Sequence, residues 1–181
     1  FVTFLWKGMK AEVRQKQIIY AILSGLCFGV LVFSYFYLWT SAAAILAGLT
    51  FFILVFRNEE WKKDFKFLFI TGVVCLLPLI LYALLLSNRN QLMDKAQLLV
   101  FTRQPDLFQR LEIIGFFLLT LTTLALWQKL TQLKDKKPYF IAALALSPFL
   151  VFNQQVLTGR SLQPFHYEYY VVNYVVMLAI V

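Results

Sequence analysis

Residues 18–56 form a run of 39 residues without one charged side chain. An α-helix rises about 1.5 Å per residue and the hydrocarbon layer of a bilayer is roughly 30 Å thick, so this run is long enough for two membrane-crossing helices. Thr40 and Ser41 interrupt the run and predict a tight turn there. We therefore expect an integral membrane protein with its first spans over about 18–39 and 41–56.

Further apolar runs predict further spans. Residues 67–86 contain Pro78, which membrane helices tolerate because neighbouring groups satisfy the freed carbonyl. The runs 111–127 and 139–152 are short against the roughly 17 to 25 residues that a span needs, and the last run, 167–181, is truncated. The sequence predicts an all-α fold, a polytopic transmembrane helix bundle of about 5–6 spans.

The ends of the chain indicate a piece of a longer protein. Residue 1 is Phe rather than Met, and Val181 lies inside an apolar run. A signal peptide is not expected, since Lys7 and Lys10 follow the opening apolar residues and no small-residue cleavage site does. We expect residues 1–181 to form a single membrane domain of a longer chain.

Lysine and arginine are unevenly distributed among the predicted connections. Residues 1–17, 57–66 and 128–138 carry twelve of the 17, and the connections 87–110 and 153–166 carry the other five. Because short cytoplasmic loops hold the excess of these residues, we predict that the first set is cytoplasmic and the second faces outward. This topology accounts for the formal net charge of +8 and predicts no nucleic-acid partner.

The connection 87–110 is too long for a turn. Between Leu92 and Arg103, residues suited to one face of a helix repeat at helical spacing. This pattern predicts an outward helix along the membrane interface. The alternative is a plain helical connector at the headgroups. Three arginines of this connection are candidate contacts for an anionic headgroup: Arg89, Arg103 and Arg110.

The densest polar cluster follows the fifth apolar run and supplies the candidate substrate-binding residues, which are Asn153, Gln154, Gln155, Arg160, Gln163, His166 and Glu168. Carboxamides bind hydroxyl-rich ligands, an arginine fork suits phosphate, and histidine beside glutamate is suited to acid–base chemistry. The alternative is structural: carboxamides that cap a helix, an arginine that reaches the headgroups, and an interfacial aromatic belt.

Several chemistries lack the residues they need. One histidine and two cysteines provide no zinc or haem ligand set, and no Cys-x-x-Cys or glycine-rich phosphate loop occurs. No cofactor is evident, although carboxylates and a lipid phosphate are compatible with a divalent cation. No ionisable residue lies mid-span, which argues against a pump or channel. Cys27 and Cys75 are expected as buried small hydrophobes, and Ala21, Gly25 and Gly29 as a stripe for close helix packing.

Many short spans, an outward amphipathic helix and a polar loop with Arg160 and His166 between spans together resemble GT-C-type glycosyltransferases, polytopic bacterial membrane proteins that use polyprenyl-phosphate sugars. The string 153–166 also resembles a signature of multi-span proteins near that group. The resemblance implies a location in the bacterial inner membrane and two partners, membrane lipid and a polyprenyl-phosphate-linked sugar. It places Arg160 on the lipid-linked phosphate, and it places on the sugar hydroxyls Asn153, Gln154, Gln155 and Gln163.

No catalytic residue transfers by this resemblance. Such enzymes hold an acidic residue in their first outward loop, and Asp94 and Asp106 match no such motif. The sequence therefore leaves two functions open. One is part of a lipid-linked-sugar glycosyltransferase acting at the outer face, and the alternative is a non-catalytic membrane subunit or transporter half with a structural outward loop.

Overall fold

A computed structural model gives the fold of residues 1–88, 90, 92, 100–161 and 164–180. Its described helices are Val2–Lys10 (α1), Arg14–Ser34 (α2), Phe36–Phe56 (α3), Trp61–Ser87 (α4), Arg110–Trp127 (α5), Lys137–Phe152 (α6), Gln154–Thr158 (α7), Pro164–Tyr167 (α8), the π-helix Glu168–Val172, and Asn173–Ile180 (α9). An antiparallel ribbon pairs Val100–Phe101 (β1) with Arg160–Ser161 (β2). The predicted all-α class is confirmed.

Four helices are long and apolar enough to cross a membrane, α2 to α5, with 21, 21, 27 and 18 residues. Because α6 has 16 residues and α9 has eight, a fifth and a sixth span stay predictions. Large apolar side chains cover the outside of the helices, with Leu77 64% and Phe116 67% exposed, while Asp64 and Glu112 are buried. Apolar residues outside and charged residues inside are what hydrocarbon surroundings favour.

The turn between α2 and α3 lies at Tyr35, whose backbone is extended (φ −155°, ψ 129°). The predicted turn at Thr40 and Ser41 is wrong, because both residues lie within α3. Their hydroxyls donate to the carbonyls of Phe36 (3.0 Å) and Tyr37 (2.8 Å), one helical turn back. Polar side chains that bond within their own helix do not mark its end.

The predicted interfacial helix is tested only at its ends, since residues 93–99 lie outside the described residues. Val100 and Phe101, which the helical spacing included, form β1 and pair with Ser161 and Arg160 of β2. The helix therefore does not continue through this pair, because main-chain bonding to β2 holds it extended. Its periodicity alone could not show that a partner strand lies 60 residues further along the chain.

The sequence predicted close helix packing at a stripe of small residues in α2, and in the structure the partner helix is α4. A Cβ atom at Gly25 would overlap Val74, one at Gly29 would lie 3.6 Å from Pro78, and Ala21 is fully buried. The two cysteines are free, and Cys75 is buried. On the other side of the bundle α6 packs against α3, α5 and α9, and most of its length is buried.

Contacts gather the connections at two ends of the bundle. The β1–β2 ribbon and a contact between Tyr35 and His166 join one set. Lys136 and Glu60 form an ion pair in the other set. We call these the loop end (residues 35, 100–109, 153–161 and 164–168) and the basic end (residues 6–16, 57–66 and 128–138). The grouping agrees with the two predicted sets of connections, and the side of the membrane that each end faces stays a prediction.

Helix α5 approaches α6 at Gly115, where an added Cβ would overlap the main-chain carbonyl of Ala145. We expect Gly115→Ala to destabilise the protein by about 1–3 kcal/mol, because a backbone atom cannot move aside as a side chain can. Gly72 of α4 has nothing within 4 Å of such a Cβ, so Gly72→Ala is the matched control. It should leave stability unchanged or slightly raised, since alanine favours helix. Thermal unfolding in detergent measures both, and equal shifts would contradict this packing.

Candidate functional site

Asn153 is the residue that follows the last turn of α6, and its side chain connects three parts of the loop end. Its Nδ2 donates to the Phe149 carbonyl (3.0 Å) and to Oε1 of Glu112 (2.8 Å). Its Oδ1 accepts from the main-chain N–H of Asp106 (2.9 Å). The side chain thereby caps α6, reaches α5 and fixes the segment before α5, so its polar atoms are used by the protein itself.

Glu112 is a buried carboxylate that the sequence analysis missed. It is 1% exposed and stands in the first turn of α5. Its Oε2 accepts from the main-chain N–H of Gln109 (3.0 Å) in a capping box, while the Gln109 side chain donates to Asp106 (2.8 Å). The positive end of α5 further favours a carboxylate here. The sequence carries only the second half of the usual capping-box pattern, Glu112 at the third helical position, since Gln109 stands where Ser, Thr, Asp or Asn is usual.

Gln155 and Arg103 fasten α7 to the segment before α5. Gln155 is 4% exposed and donates from Nε2 to the Gln104 carbonyl (3.1 Å). Arg103 donates from Nη1 to the carbonyls of Val156 (3.0 Å) and Leu157 (3.2 Å), which satisfies groups at the end of α7. Arg103, predicted as a headgroup contact, is therefore engaged within the protein.

Gly159 completes this turn because of its conformation and its surroundings. Its φ of 71° is left-handed, which glycine adopts without strain. A Cβ there would also lie 3.4 Å from the Arg103 guanidinium. The glycine lets the chain turn from α7 into β2 and places Arg160 at the surface.

Arg160 is exposed on β2, opposite Phe101 of β1. Its guanidinium carbon lies 5.9 Å from the centroid of the Phe101 ring, and Phe101 is itself 72% exposed. An arginine on an aromatic face keeps its N–H donors free at the edges. The arrangement can bind an anion such as phosphate in two N–H···O bonds.

His166 lies in a group of aromatic rings at the turn between α2 and α3. Its Nδ1 is 3.2 Å from the Tyr35 hydroxyl, and its ring meets that of Tyr37 edge to face with 5.1 Å between centroids. Tyr167 packs on Tyr37 as well and its hydroxyl lies 2.9 Å from that of Thr40. These contacts fasten the chain after β2 to the α2–α3 turn.

Glu168 follows as the half-buried first residue of a π-helix. A π-helical turn inserted between α-helices is an irregularity that often occurs at functional sites. It adjoins the aromatic group of His166 along the chain.

The predicted site residues fall into three neighbourhoods of the loop end. Asn153 and Gln155 hold segments of the loop end together, Arg160 lies on the ribbon, and His166 contacts the α2–α3 turn, with Glu168 two residues further along the chain. Gln154 is half-buried on α7, and Gln163 lies outside the described residues. No three His, Cys, Asp or Glu side chains of the described residues lie close enough to hold a metal ion. No protein-family model, no curated protein and no solved structure matches this chain.

An ionic cluster at the basic end was also missed. Asp64 of α4 is fully buried and pairs with Lys136, which also donates to Glu60 (3.0 Å). The hydrogen bond and charge of Lys136 lower the pKa of the Glu60 carboxyl below its usual value. No short-range pattern marks this cluster, since Asp64 and Lys136 are 72 residues apart.

Asp64→Asn should destabilise the protein by about 3–5 kcal/mol, because it leaves the half-buried Lys136 without its buried counter-charge. Glu60→Gln is the matched control at the same ammonium, and it should cost less than about 1 kcal/mol since Glu60 is half exposed. Thermal unfolding in detergent measures both, and similar losses would contradict the assignment of the main interaction to Asp64.

The interaction of Glu60 with Lys136 predicts that stability depends on pH. The folded pKa of Glu60 is lowered, so its stabilising effect is complete above its unfolded pKa and is lost as the pH falls through the lower folded value. The small difference in stability between wild type and Glu60→Gln should therefore be constant near neutral pH. It should shrink below about pH 4.

Proposed function

We propose that this chain is part of an integral membrane protein that binds a polyprenyl-phosphate-linked sugar at its loop end, as in the GT-C-type glycosyltransferases it resembles. The observation that carries the proposal is the exposed Arg160 guanidinium on the exposed Phe101 ring. A cation for the phosphate and an apolar surface for the lipid chain lie side by side there.

Apolar side chains around this pair support a lipid ligand. Phe108 is 84% and Leu157 85% exposed, and both belong to the loop end. Phe108 has a φ of 70°, a left-handed conformation that costs a bulky residue free energy. An aromatic ring that is exposed at the cost of backbone strain supports a contact with an isoprenoid chain or with the membrane interface.

The contacts refine which carboxamides would meet the sugar. Asn153 and Gln155 already use their side chains on protein partners, whereas Gln154 is half-buried on α7. We therefore assign the sugar hydroxyls to Gln154 and to the predicted Gln163, and we assign Asn153 and Gln155 to the support of the loop. No residue is assigned to catalysis.

Replacing Arg160 by Lys in the intact protein tests the phosphate contact. Lysine keeps the charge but loses the two-pronged geometry, so the affinity for a polyprenyl-phosphate-linked sugar should fall by roughly fivefold to tenfold. Titration of the purified protein in detergent with a fluorescent donor analogue measures this. Unchanged affinity would rule out Arg160 as the phosphate ligand.

The basic end offers a matched control for this experiment. Arg57 stacks over Trp61 with 5.5 Å between guanidinium carbon and ring centroid, the same kind of pair at the opposite end of the bundle. Arg57→Lys should leave donor affinity unchanged. An equal loss in both variants would indicate a general effect of arginine replacement.

The alternative function, a non-catalytic subunit or transporter half, is favoured by a different observation. Asn153, Gln155 and Arg103 all serve to hold the loop end together, which is what a structural plug requires. The two proposals differ in the titration with the donor analogue. A structural loop predicts that neither the wild type nor Arg160→Lys binds the donor.

Both proposals predict that the two ends face opposite sides of the membrane. Leu157→Cys and Lys134→Cys place exposed thiols at the loop end and the basic end, in a background where Cys27 and Cys75 are replaced by Ala. In intact cells a membrane-impermeant maleimide should label Cys at 157 and should label Cys at 134 only after the membrane is opened. Labelling of both thiols in intact cells would overturn the topology.

A further inference from the structure

A cleft of about 720 Å³ opens at the basic end between α1, α5, α6 and α9. One wall is apolar, with Leu118 and Leu121 of α5 and Ile141 of α6. The rim is polar and carries three lysines and one carboxylate: Lys10, Lys136, Lys137 and Asp135. The cleft therefore combines cations with a surface suited to hydrocarbon, at the end of the bundle where the positive charge is concentrated.

The ion pairs show which of these cations can bind a ligand. Lys136 is held by Asp64 and Glu60, so its charge is already matched. Lys10 and Lys137 are exposed at the rim. The carboxylate of Asp135 accepts from the main chain of Gln132 (3.3 Å) and so closes its own turn. Lys10 and Lys137 are therefore the two lysines of the rim that can contact an anion.

Two further features place positive potential at this rim. Helix α6 begins at Lys137, and the amino end of a helix carries a partial positive charge that favours phosphate. Trp6 packs edge-on against Phe140 of α6 with 4.9 Å between centroids, and the Lys10 ammonium lies 5.0 Å from the Trp6 ring. Trp6 thus holds Lys10 near the start of α6, and tryptophan is typical of the membrane interface.

We propose that this cleft binds an anionic phospholipid from the leaflet at the basic end. The headgroup phosphate lies between Lys10 and Lys137, and the acyl chains lie along Leu118, Leu121 and Ile141. A soluble anion would leave the apolar wall uncovered, and a zwitterionic lipid would bring its own cation to the two lysines. Basic pockets between membrane helices bind anionic headgroups on this principle. The proposal does not depend on donor binding at the loop end.

The test measures which lipid the intact chain retains. Protein purified from vesicles of equal phosphatidylglycerol and phosphatidylcholine is examined by native mass spectrometry, and the wild type should retain phosphatidylglycerol preferentially. Each lysine near a membrane surface contributes about fivefold in affinity for anionic lipid, so Lys10→Gln with Lys137→Gln should lower that preference by roughly 25-fold. Equal retention of the two lipids by the wild type would overturn the proposal.

Two matched variants separate the cleft from general charge. Lys129→Gln with Lys134→Gln removes the same charge from the same end but from residues outside the cleft rim, and it should retain the preference. An equal loss there would contradict a site. Lys10→Arg with Lys137→Arg keeps the cations and should also retain the preference, whereas its loss would contradict the assignment of the phosphate to these positions. Helicity measured by circular dichroism shows that each variant is folded.

A second measurement distinguishes a lipid from a free phosphate. Short-chain phosphatidylglycerol should raise the unfolding temperature of the wild type, and inorganic phosphate at the same concentration should not. Equal stabilisation by both would mean that the apolar wall takes no part, which would overturn a lipid as the occupant. The Arg160→Lys variant should retain phosphatidylglycerol like the wild type, so failure of the loop-end proposal leaves this one intact.

Discussion

Buried carboxylates from two other helices hold the two ends of α6. Asp64 of α4 pairs with Lys136 where α6 begins, and Glu112 of α5 accepts from Asn153 where α6 ends. A buried charge without a partner is far more costly than a paired one, so these contacts fix the position of α6 relative to α4 and α5. Helices α3 and α9 pack on α6 as well.

The same two contacts make the ends of the bundle chemically different. At the basic end the contact is ionic, and a cleft with two exposed lysines at its rim opens beside it. At the loop end the contact is a network of caps, in which Glu112, Asn153 and Gln109 satisfy one another and the backbone. A membrane surface treats such ends differently, because anionic headgroups are attracted to lysines, whereas a network whose polar groups satisfy one another is stable away from water.

Some polar residues of the loop end hold its segments in place, and another, Arg160, is exposed. Asn153, Gln155 and Arg103 hold α7 and the ribbon in place through main-chain and side-chain partners. This support leaves Arg160 and Phe101 on a ribbon anchored at both strands. Under the proposed function the residues that looked most like ligands for a sugar form the frame, and the arginine presented on that frame meets the ligand.

The sequence by itself determined the all-α class, the four long apolar helices and the separation of basic connections from the others, because length, hydropathy and charge are local properties of a chain. It also predicted that α2 packs closely on another helix at Gly25, and the structure shows that this helix is α4. Only the tertiary structure decided that Asp64 meets Lys136, that β1 pairs with β2, and that Asn153 meets Glu112. Each of these joins residues 41 to 72 positions apart, and no local pattern encodes which distant group will satisfy a buried polar atom.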